Sequence, residues 1–71
     1  MAITQEDIDN RFTYHPTKEG QQERYVAIRN KAKELAMLVV ASSPASCEQS
    51  LAITKLEECV MWTNAAIARK E

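Results

Sequence analysis

Four aromatic residues and a run of cations are the side chains of this sequence best suited to chemistry. Phe12, Tyr14, Tyr25 and Trp62 offer flat faces, and Arg11, Lys18, Arg24, Arg29, Lys31 and Lys33 place six cations between residues 11 and 33. Only Glu19 and Glu23 oppose them there, so that stretch carries +4, against −3 over residues 1–10 and −2 over residues 34–71. Aromatic faces stack on bases, while guanidinium and ammonium groups pair with phosphates. The combination suits a small, multiply charged anion that also carries rings. A total charge of −1 argues against a long nucleic-acid polymer as partner, because such a polymer needs a broad basic face.

Other chemistries lack their parts. One histidine, His15, and two thiols, Cys47 and Cys59, do not make a metal-ligand set. Nothing in the spacing puts His15 beside either thiol, so a Cys–His nucleophile is unsupported. Gly20 is the single glycine, which leaves no Gly-rich phosphate loop. Neither catalysis nor a cofactor is expected. Cys47 and Cys59 lie in or next to one helical stretch, about 18 Å apart on a straight helix, too far for a disulfide. Both read as reduced thiols of a cytoplasmic protein, with Cys59 packed. The apolar run Ala36–Ala41 is too short to span a membrane. The acidic, polar N-terminus does not resemble a secretory signal.

The elements that would position these side chains are helical. Tyr25, Ile28, Ala32, Leu35 and Val39 recur at steps of three and four, an apolar stripe along a helix from Gln21 to about residue 41. Ile53, Leu56, Val60, Thr63 and Ile67 repeat the pattern in a partner helix over about 46–68. Between them, Ser42-Ser43-Pro44-Ala45-Ser46 is a tight break. Either Ser43 caps the second helix with Pro44 at its first position, or Ser46 caps it with Gln49 closing the box. Thr4-Gln5-Glu6-Asp7 has the form of a capping box for a short helix over about 5–11. His15 precedes Pro16 and is biased toward extended backbone, in a polar loop that ends at Gly20. The expectation is one all-α domain over residues 1–71: a short N-terminal helix followed by a long antiparallel helical hairpin.

A hairpin has one internal seam, and this chain carries more apolar side chains than one seam takes. Val26, Met37 and Val40 form a second stripe on the first long helix, and Leu51 and Trp62 a flank on the second. Seventy-one residues with 45% hydrophobic content seldom complete a core alone, so a homo-oligomer is expected. With the bend near residue 45, Tyr25 lies level with about Ala65 and Ile28 with Trp62. The four aromatics should then gather at one end with Arg24, Arg29, Lys31 and Arg69, as a nucleotide pocket.

Three stretches carry a resemblance. Arg11-Phe12-Thr13-Tyr14-His15-Pro16, then Tyr25 with Ile28-Arg29, and finally Leu51 to Glu58 with Met61-Trp62-Thr63-Asn64-Ala65-Ala66-Ile67-Ala68-Arg69, resemble the hairpin domain shared by phage anti-CBASS and anti-Thoeris sponges. The resemblance covers nearly the whole chain and is greater to the short anti-CBASS members. It implies a protein of the infected bacterial cytoplasm that binds cyclic oligonucleotides, such as cyclic GMP-AMP and cyclic tri-adenylate, without cleaving them. It implies compact hexamers with ligands between subunits. By position, the aromatic that holds a cyclic dinucleotide is Tyr14, with Phe12 as second choice, and the helix cation is Arg29 or Lys31. The arginine of a separate trinucleotide site is Arg69. No serine or threonine lies between Arg24 and Val40 to supply the hydroxyl that accompanies this arginine in the family.

Two other classes compete with this reading. A plain helical interaction module would use the surplus apolar stripes alone. A small nuclease or hydrolase would need a ligand set or acid–base pair that the sequence does not offer.

Overall fold

The computed structural model describes residues 2–71, and these form three helices with no strand among them: α1 (Gln5–Arg11), α2 (Gln21–Ser42) and α3 (Cys47–Lys70). α1 begins at a complete capping box. The Thr4 hydroxyl accepts from the Asp7 amide at 3.1 Å, and the Asp7 carboxylate accepts from the Thr4 amide at 3.0 Å. The Thr4 amide, and after it the Thr4 hydroxyl, hold the Asp7 carboxyl below the usual carboxylate range. α1 buries none of its residues.

α2 is entered through Gly20 at φ +82°, a left-handed conformation that a side chain would strain. At the far end, Ser46 is the cap of α3, its hydroxyl accepting from the Gln49 amide at 3.1 Å. Gln49 does not close a capping box. Its side-chain amide instead donates to Ser43 O at 2.9 Å, Ser43 Oγ at 3.0 Å and Val40 O at 3.3 Å, which clamps the bend to the end of α2.

α2 and α3 form the antiparallel hairpin. Tyr25, Ile28, Ala32 and Val39 are half-buried opposite Ile53, Leu56, Val60, Thr63 and Ile67. Leu35 departs from the expected stripe: it is 47% exposed, and the half-buried residue at that level is Ala36. Leu35 lies instead on the open side of the seam, in a trough that it shares with Ile28, Ala32, Leu56 and Val60. Cys59, expected to be packed, is exposed beside Leu56 and Val60 at the rim of an apolar trough. Both thiols are free.

The open end of the hairpin is closed by polar groups. Gln21 is 2% exposed, and Ile67, at 8%, is the one buried apolar side chain among the described residues. The Gln21 amide nitrogen donates to Ile67 O at 3.3 Å and Glu71 Oε1 at 3.2 Å, and its oxygen accepts from the Lys18 amide at 2.9 Å. Arg24 grips both oxygens of the Glu71 carboxylate at 2.5 and 2.6 Å. Lys18 Nζ donates to the Glu71 carbonyl. α1 is tied to the same end by Asn10 Nδ2, which donates to Arg69 O at 3.4 Å.

The single chain is elongated and wet. Its radius of gyration is 15.5 Å, against about 11 Å for a compact domain of this length. Its accessible surface is 5945 Å², against about 4,450 Å² for a folded monomer of this mass. The excess is apolar in part: Met37, Leu38, Val40, Leu51, Met61 and Trp62 are all exposed. No described helix is long and apolar enough to cross a membrane.

The Arg24 guanidinium, with the Gln21 amide, holds the Glu71 carboxyl down at about 2, below its ordinary 4.5. A lowered folded-state pKa adds stability that is complete above the unfolded value and is lost as pH falls toward the folded one. The melting temperature should therefore decline between pH 4.5 and 2. Glu71→Gln should flatten that part of the profile relative to wild type in a melt series at low salt. The difference should shrink in high salt, because both side chains are partly exposed.

Candidate anion-binding site

Where the start of α2 meets the end of α3, a hollow of about 510 Å³ opens to solvent. α2 lines it with Gln22, Tyr25 and Arg29, which share one flank through their steps of three and four. α3 supplies Met61, Asn64, Ala65, Ala68 and Arg69 by the same periodicity. Arg11, at the end of α1, and His15, in the following loop, complete the wall. His15 is fixed by a 2.7 Å hydrogen bond between its Nε2 and Asn10 O.

Three arginines from three different helices therefore border one hollow. None of them forms an ion pair with a described residue, and no carboxylate lines the hollow. Like charges around one space, with no carboxylate between them, attract an anion into it. The phenol ring of Tyr25 stands beside them. In the same wall, Asn64 Oδ1 is buried without a hydrogen-bond partner, a costly state for an acceptor. The arrangement can hold a polyanion with an aromatic part. Among the described residues no three His, Cys, Asp or Glu side chains cluster as a metal site.

The structure brings together only part of the expected set. Arg29 and Arg69 line the same hollow. Lys31 does not: residues two apart lie about 200° apart around a helix. Lys31 instead borders the apolar trough of about 390 Å³ formed by Ile28, Ala32, Leu35, Leu56 and Val60, and pairs with Glu34 at 3.5 Å. Arg24 is engaged by Glu71. Of the four aromatics expected at this end, only Tyr25 lines the hollow. Phe12 and Tyr14 are each 84% exposed and lie outside the hollow. Trp62, one position on from Met61, is turned about 100° to the next flank, where it borders a smaller recess with Arg69 and Lys70.

Arg11, His15, Gln22 and Asn64 were not singled out as site residues by the sequence. Gln22 had a signal, since it stands three before Tyr25 and seven before Arg29 on one helical flank. Asn64 had one too, three after Met61 and four before Ala68. Arg11 stood in the cationic run and, with His15, in the first resembling stretch, but the spacing did not place either at the hollow, because that depends on how α1 and its loop fold back onto α3.

A family profile described as Acb2/Tad1, hairpin domain, matches residues 4–68. The chain belongs to this family. The matched stretch runs from the capping Thr4 through α1, α2 and all but the last two residues of α3, and Arg69 follows it directly. Membership in the Acb2/Tad1 hairpin family points to an anti-CBASS role as a cyclic-oligonucleotide sponge. Comparison with curated proteins and with solved structures gives no match.

Arg11, Arg29 and Arg69 bring like charge to one hollow, so removing one of these charges should not destabilise the free protein. Arg29→Gln and Arg69→Gln should each leave its stability within about 0.5 kcal/mol of wild type or raise it. Thermal melts without ligand check this, and any gain should fade in high salt.

Proposed function

We propose that the protein sequesters cyclic oligonucleotide second messengers intact, and so keeps CBASS-type effectors in the infected bacterial cytoplasm from being activated. The observation that carries this reading is the hollow bordered by Arg11, Arg29 and Arg69 beside Tyr25, in a chain of the Acb2/Tad1 hairpin family. Cyclic dinucleotides such as cyclic GMP-AMP and trinucleotides such as cyclic tri-adenylate are compact polyanions with purine rings, the ligand class that such a wall favours. Arg29 and Arg69 are assigned to phosphates.

The reading includes a homo-oligomer, with a hexamer as its closed form. The surface excess of the lone chain, about 1,500 Å², equals roughly two standard contacts of about 800 Å² per partner. Two contacts per subunit allow a ring, whereas one gives only a dimer. Phe12 and Tyr14 stand out from the chain and are assigned to stack on a ligand held at a neighbouring subunit. Lys31, at the edge of the apolar trough, is assigned a place beside such a contact. A ligand buried between subunits is released slowly, because leaving it means breaking charge-assisted bonds in a desolvated site.

A second reading, an interaction module without a nucleotide ligand, is favoured only by the exposed apolar side chains. One experiment separates the readings. The protein is incubated with cyclic GMP-AMP or cyclic tri-adenylate, and the free messenger is measured by chromatography before and after heat denaturation. A sponge depletes the messenger and returns it intact on heating. Degraded messenger would mean an enzyme, and messenger free throughout would mean an interaction module. Arg29→Ala or Arg69→Ala should weaken binding by about 10- to 150-fold, the range for a lost charge-assisted hydrogen bond.

Assembly has its own test. Leu35→Glu puts a charge into the trough, and should shift the sedimentation coefficient toward that of a single chain while lowering the melting temperature. Unchanged sedimentation would remove the trough from the interface.

A further inference from the structure

The hollow and the clasp at the open end of the hairpin are built on the same two helical turns. On α2, Gln22 and Tyr25 face the hollow, while Gln21 and Arg24 on the other flank hold Glu71. On α3, Ala68 and Arg69 face the hollow, while Ile67 O and Glu71 receive the bonds from α2.

The last four carbonyls of a helix have no partner within it. Two of those in α3 are met from other elements, Ile67 O by Gln21 and Arg69 O by Asn10. Gln21 is 2% exposed, so its amide has no water to turn to, and its bonds hold it in one orientation. The Glu71 carboxylate faces the negative pole of the α3 dipole, an unfavourable place for an anion. Arg24 and Gln21 offset that and turn the carboxylate into a tether. If they let go, the last turn is a helix end with few other contacts, the part of a fold that opens most readily. Arg69 sits in that turn.

The geometry points to Glu71 as a positioning residue for ligand binding: by fastening the last turn of α3 to α2, it holds the Arg69 guanidinium at the hollow. Glu71 touches no ligand and acts through Arg69. The inference rests on the sponge reading and deepens it, since it ties affinity for the anion to a contact on the far side of the helix pair.

The test is a double-mutant cycle in the full chain, read by calorimetry with cyclic tri-adenylate and cyclic GMP-AMP, well below the melting temperature of every variant. Glu71→Ala should weaken binding about tenfold in the wild-type background and by less than about twofold in the Arg69→Ala background. The charge-exchanged pair Arg24→Glu with Glu71→Arg should recover most of the loss that Arg24→Glu alone produces. A role in stability only would lower the melting temperature without moving affinity in the folded protein. Binding by Glu71→Ala within about twofold of wild type, or an equal loss in both backgrounds, overturns the inference and leaves the sponge reading standing.

Amide exchange in the ligand-free protein supplies an arm that does not depend on binding. Glu71→Ala should speed exchange at residues 67–70 and leave residues 53–60 unchanged. Unaltered exchange at 67–70 overturns the clasp. Silence of the wild type toward both messengers counts against the sponge reading instead, and the exchange result then decides the clasp alone.

Discussion

The hairpin is closed at both ends by glutamine side chains rather than by a core. At the bend, Gln49 gathers Val40 O, Ser43 O and Ser43 Oγ onto one amide. At the open end, Gln21 spans Ile67 O, Glu71 and the Lys18 amide. Between these clamps the seam is thin, and Ile67 alone among the described apolar side chains is buried. Two helices have one shared face, so a seam of half-buried residues is all that this topology can provide. The clamps fix the register, and the register decides which side chains meet across the pair.

That register has two consequences. It sets Tyr25 and Arg29 level with Asn64, Ala65 and Ala68, which forms the hollow, and it leaves the remaining apolar residues facing outward. Both follow from the narrowness of a helix pair, because side chains off the seam have no third layer to meet. In the proposed assembly the same shortage of interior supplies the contacts and opens the site between them. Charge is divided in a corresponding way: Arg24 forms an ion pair with Glu71, while Arg11, Arg29 and Arg69 form none with a described residue.

Much of the fold was legible in the sequence because it rests on local signals. Two stripes at helical spacing, a capping box at Thr4 and a serine- and proline-bearing break gave three helices and an antiparallel pair. Leu35 was misjudged because helical spacing reveals an apolar stripe but not which of its members the partner helix covers, and Leu35 is left at the open trough. The site was less legible. Arg29 and Arg69 meet at the hollow, but Lys31 and Trp62 face other flanks, and level along an axis says nothing of angle around it. Gln21 carried no signal at all, since a glutamine beginning a polar helix reads as exposed. Its burial is decided by partners up to fifty positions away, Ile67 and Glu71, whose spacing along the chain reveals nothing.

The stretch between α1 and α2 is pinned at both ends to the same part of the molecule, at Asn10 through Arg69 O and at Lys18 through Gln21. A chain anchored at two nearby points has already given up most of the conformational freedom that a dangling arm would keep. Phe12 and Tyr14 sit on this short, closed span. In the proposed stacking on a ligand ring, less disorder would remain to be lost at that moment, and more of the contact energy would appear as grip.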